Sequence, residues 1–109
     1  MTSTAKRILV VANEKPLRES RAMLLESVGY SVVSVCSDED ALSLLKTESF
    51  GLVLIGRNTD SPVALDELLR TKYPSLLTLK IDRLESKYPS RITDAVPTHV
   101  LDAIREMLI

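Results

Sequence analysis

One histidine, His99, and one cysteine, Cys36, are all that this 109-residue chain offers of the side chains most used as bases, nucleophiles and soft metal ligands. His99 has no triad companion and stands at the start of a helical pattern. It reads as a surface or capping residue. Cys36 ends a strand-like run and precedes the acidic "SDED" stretch, which opposes a reactive thiolate. It reads as a small apolar core residue. A lone cysteine also excludes an internal disulfide and suits a reducing cytoplasm. With no nucleophile–base pair and no ligand cluster, neither catalysis nor a metal or cofactor is expected.

The other polar candidates lie at the ends of apolar runs. Asn13 and Glu14 follow "RILVVA", Gly56, Arg57 and Asn58 follow "GLVLI", and Lys80 and Asp82 end "SLLTLKI". In open α/β sheets, ligands gather past the carboxyl ends of such strands. Two readings of this group stand. One is a solvated loop surface in which Lys80 pairs with Glu14 or Asp82. The other is an anion site, with Asn13, Arg57 and Lys80 beside a helix N-terminus holding a phosphate or nucleotide. "ANEKP" matches neither G-x-G-x-x-G nor the P-loop pattern.

The elements that would position these residues alternate. Strands are expected at Arg7–Ala12, Tyr30–Cys36, Gly51–Ile55, Ser75–Ile81 and, as an alternating edge strand, Arg91–Val96. The first helix opens at Pro16, carries Leu17, Leu24, Leu25 and Val28 at helical spacing, and closes at Gly29. Ser37 caps the second helix, with its stripe of Ala41, Leu44 and Leu45. Ser61-Pro62 opens the third, which uses Leu65, Leu68 and Leu69. Thr98–Leu108 forms the last, with Val100, Leu101, Ile104, Met107 and Leu108 inward. Strands separated by helix-length segments imply right-handed crossovers and a parallel sheet covered on both faces. One helix is out of place: between Ile81 and Ile92, "DRLESKYPSR" has room for one or two turns before Pro89.

Charge is balanced, 6 basic and 7 acidic residues in 1–55, 8 and 8 in the rest. This gives no basic footprint for nucleic acid and no polybasic membrane patch. No apolar run approaches a membrane span, and "MTSTAKR" reads directly into a strand, without a signal peptide. Residues 1–109 are expected to form one domain, either a stand-alone protein or a part of a longer one. The likeness of "TKYPSL" and "SKYPSR" is too short and isolated for a repeat.

The order "ILVV", Arg-containing helix, "VGY", strand, "DALSLL", "LVLI" resembles bacterial response-regulator receiver domains of the CheY-like type. The likeness covers roughly residues 6–73 and the final helix, "VPTHVLDAIREML". It implies a flavodoxin-like, doubly wound, five-stranded parallel sheet in the order 2-1-3-4-5, with the fourth helix lost or reduced. Receivers accept a phosphoryl group on an aspartate ending strand three. An acidic pair after strand one holds Mg²⁺, and a Ser or Thr after strand four and a Lys after strand five meet the phosphate. Set on this sequence, the acceptor position is Gly56, the acidic pair is Ala12 and Asn13, the Ser/Thr position is Lys80 and the Lys position is Val96, before Pro97. Only Glu14 keeps an acid nearby. The resemblance therefore implies a pseudo-receiver without phosphotransfer.

The thin cover near strands four and five gives the functional expectation. Leu84, Tyr88 and Pro89 either fold back over that flank or leave it to a partner. In receivers this flank meets dimer mates and output partners. Residues 82–105, with Leu84, Tyr88, Arg91 and His99, are the expected contact surface for a signalling protein or a second copy of the chain. A small-anion or nucleotide sensor is the alternative function.

Overall fold

The computed structural model describes residues 6–56, 62–74, 76–81, 91–93 and 97–108, with the backbone alone at 62–64, 91–93, 97–98 and 108. Four strands, β1 (Arg7–Val11), β2 (Ser31–Val35), β3 (Leu52–Ile55) and β4 (Leu77–Ile81), form a parallel sheet in the order β2-β1-β3-β4. A three-residue strand, β5 (Arg91–Thr93), pairs in parallel along the outer side of β4. Four helices are described: α1 (Lys15–Ser27), α2 (Asp38–Leu45), α3 (Pro62–Lys72) and α4 (Pro97–Leu108). The expected reduction of a helix between strands four and five falls on 82–90, outside the described residues. Residues 94–96 of the expected edge strand lie outside them too.

Side chains alternate across each strand, so the sheet has two different cores. Ile8, Val10, Leu52, Leu54, Leu79 and Ile81 meet Leu25 of α1 and Val100, Ala103 and Ile104 of α4. Leu9, Val11, Val53 and Ile55 meet Ala41 and Leu45 of α2, Leu65 and Leu69 of α3, and Phe50. β1 and β3 are buried on both sides, which is why they read as unbroken apolar runs.

Helix ends follow their local chemistry. The Ser37 side chain accepts from the Asp40 N–H at 3.1 Å, and Asp38, Glu39 and Asp40 place negative charge at the positive end of α2. α1 ends one residue before the expected closure. Val28 is its C-cap, and Gly29 follows at φ 101°. The Gly29 N–H donates to Glu26 O and the Tyr30 N–H to Leu25 O, which makes a Schellman motif.

The apolar stripe expected on α1 is largely not core. Leu25 is its buried residue, Leu24 is half-buried, and Leu17 and Val28 are 38% and 54% exposed. Cys36 also departs from expectation. It is exposed, and its thiol donates to Asp40 Oδ2 at 3.5 Å. β2 stops at Val35, so Cys36 belongs to the turn before α2 rather than to the sheet.

Candidate functional site

The carboxyl ends of β1 and β3 meet at two residues with nothing to offer chemically. The Gly56 N–H donates to Val11 O at 2.9 Å, which continues the ladder one step past β3. That step brings Gly56 level with Ala12, whose own N–H donates to Val35 O at 3.1 Å. Both residues are buried, Ala12 completely. A hydrogen atom and a methyl group therefore stand at the buried ends of these two strands.

The polar groups around this point are arranged differently from the expectation. Asn13 is exposed in the β1–α1 turn. Glu14, also exposed, is the N-cap of α1, but its side chain makes no capping bond. Arg18, one turn into α1, reaches back over the turn: its Nη1 donates to Ala12 O at 3.0 Å and Asn13 O at 3.3 Å. Sequence reasoning missed this contact. Its signal was available, since an Arg four residues after an N-cap can fold back along the first turn. The result is a fixed cation tied to the backbone at the mouth of the crevice.

Lys80 does not join that group. In the β3–β4 register it pairs with Ile55, and the next step sets Ile81 level with Gly56. Ile81 faces the α1/α4 core, whereas Lys80 shares the opposite face with Ile55 and Thr78. It is 1% exposed. The strand-four position nearest the crevice is thus apolar, and Lys80 is one residue short of it. The Lys80 ammonium is withdrawn from solvent at this position. Arg57 and Val96, the other named positions, lie outside the described residues, as do Leu84 and Tyr88. Arg91 is described by its backbone in β5, and His99 is exposed in the first turn of α4.

A second polar feature, also missed, lies under α3. Asp66 is 2% and Thr78 7% exposed, and Thr78 Oγ1 donates to Asp66 Oδ1 at 2.7 Å. The spacing Leu65–Asp66–Leu69 puts the carboxylate on the inner side of the helix, and "LLTLKI" interrupts an apolar strand with a hydroxyl. Together these are the sequence signs of a buried polar pair.

On the α1/α4 side, a cavity of about 300 Å³ opens between α1 and the start of α4. Leu17, Leu24, Leu54, Val100 and Arg21 line it. Burial pushes the Arg21 guanidinium below its ordinary pKa, against the opposing pull of Glu14.

No family model and no curated protein sequence matches the chain. Solved structures do. The chemotaxis response regulator CheY4 of Vibrio cholerae superposes with a TM-score of 0.82 at 15% identity, over 93% of this chain and 97% of that one. A CheY-like receiver domain from Methanospirillum hungatei gives 0.80 at 23% identity, over 94% and 92%. The response regulator TrrA of Thermotoga maritima, crystallised with the histidine kinase ThkA, gives a match of 0.83 at 18% identity, over 94% and 98%. The chain has the flavodoxin-like fold of these receiver domains.

Proposed function

We propose that this chain is a receiver-like domain that accepts no phosphoryl group and acts by binding a protein partner. One observation carries the reading: β3 delivers a buried glycine, level with a buried alanine, to the point where a receiver needs a carboxylate nucleophile. Neither side chain can be phosphorylated, and neither offers an oxygen to a hard cation. Arg18 adds to this. Its guanidinium engages the turn carbonyls and opposes a second cation by like charge. The domain is then a non-enzymatic regulatory module of the cytoplasm, free of cofactors.

The partner is a signalling protein, in keeping with the kinase complex of the Thermotoga relative, or a second copy of this chain. Residues 82–105 supply the surface, and of the four residues named for it His99 is the one whose side chain is described, and it is exposed. Incubation with acetyl phosphate and Mg²⁺, followed by intact-mass measurement, tests the first half. The mass is expected to stay unchanged, and one added phosphoryl group on any carboxylate overturns the reading. Crosslinking to a candidate kinase, or of the chain to itself, tests the second. The crosslinks are expected within 82–105 and to be lost in Leu84→Glu and Tyr88→Glu. Crosslinks confined to α2 and α3 would refute that surface.

A further inference from the structure

The cavity between α1 and α4 sets a charged side chain, Arg21, beside core residues, and one of its wall residues, Val100, also falls within the proposed partner surface 82–105. Leu17, Leu24, Leu54 and Val100 give it apolar walls, and Leu17, 38% exposed, stands at the rim. Its volume of about 300 Å³ equals about ten water volumes at ~30 Å³ each. That is the lower end of small-molecule sites.

Arg21 is the charged residue of the lining. Its Nη1 is buried and has no hydrogen-bond partner among the described residues. A buried guanidinium donor left unmade is costly, and a carboxylate is its best geometric complement. Glu14 acts on Arg21 through space, yet no hydrogen bond joins them among the described residues. Ser20, exposed at the edge, adds a hydroxyl.

We propose that this cavity is a binding site for a small amphiphilic carboxylate, whose apolar body fills the space against Leu17, Leu24, Leu54 and Val100 and whose carboxylate bonds Arg21. The size favours a molecule with one ring or a short branched chain. An extended acidic peptide would leave most of its length outside. The site lies on the α1/α4 side of the sheet and needs no chemistry at Gly56, so it stands or falls apart from the proposed lack of phosphotransfer.

The experiment titrates the full chain with benzoate and hexanoate, and with the neutral benzamide, while following backbone amide shifts by NMR. Saturable shifts at Leu17, Arg21, Leu54 and Val100 are expected for both carboxylates. Benzamide is expected to bind roughly tenfold more weakly, the loss of one charge-assisted contact. In Arg21→Met the carboxylate preference disappears, with amide dispersion confirming the fold. If that variant does not fold, the benzoate-to-benzamide ratio on the unaltered chain decides alone. Equal binding of acid and amide overturns the proposal, as does the absence of shifts at these residues up to millimolar benzoate. Shifts there with an acidic helical peptide but with neither carboxylate also overturn it, and assign the cavity to a protein partner.

Discussion

The two faces of the sheet are closed by different means. Toward α1 and α4 the fully buried residues are apolar, yet the packing is incomplete and leaves a cavity of about 300 Å³ with Arg21 in its wall. Toward α2 and α3 the apolar cluster also holds Asp66, Thr78 and Lys80. One face has spare room, and the other has buried polarity. Empty apolar space forfeits dispersion contacts, while buried polarity is tolerated only when its bonds are made. The first face therefore depends on a few contacts, and the second on bond geometry.

The largest expected effect tests the first face. Leu25 is the buried residue of α1, so Leu25→Ala should lower stability by about 2–5 kcal/mol in urea unfolding. A loss under about 1 kcal/mol would show that α1 is held by something else. Next comes the second face. Asp66→Ala strands the Thr78 hydroxyl and should cost about 1–3 kcal/mol. The double change Asp66→Leu with Thr78→Val should recover much of that loss, because neither group is then left unmatched. If the double variant is as unstable as the sum of its parts, the pair is not the coupling unit.

Smaller effects sharpen the contrast at the edges. Ser37→Ala removes the α2 cap and should cost about 1 kcal/mol, read as a lower thermal midpoint. Smallest of all is Glu48→Gln. Arg7 bonds Glu48 at 2.8 Å, donates to Ser49 O at 2.9 Å and lies 4.5 Å from the centre of the Phe50 ring. Glu48 is substantially exposed, so the change should cost less than about 1 kcal/mol, a difference that fades in high salt.

These contrasts also mark what was legible in the residues. "ILVV" and "LVLI" announced doubly buried strands because period and length leave little choice there. The glycine and alanine at the crevice were legible too, since their position follows directly from strand ends. The stripe on α1 misled, because periodicity reports which face is apolar and not how closely it approaches the sheet. Leu17 and Val28 fit the helical spacing and are exposed all the same. Lys80 misled for a related reason. Its place depends on a register between strands distant in sequence, and one step moves a side chain to the other face. The Asp66–Thr78 bond joins residues 12 apart on different elements, so each local pattern marks a buried polar residue without naming its partner.

The strand order has a consequence for how the molecule comes apart. β1 lies between β2 and β3, its two nearest successors in the chain, so both of its ladders close within residues 7–55. Short loop closures precede long ones, and a chain synthesised from its amino end can assemble this three-stranded unit before β4 exists. Native-state hydrogen exchange should therefore find the amides of β1 the slowest in the protein. Those of β5, joined through three residues at the rim, should open first, by a route that leaves the amino-terminal unit intact.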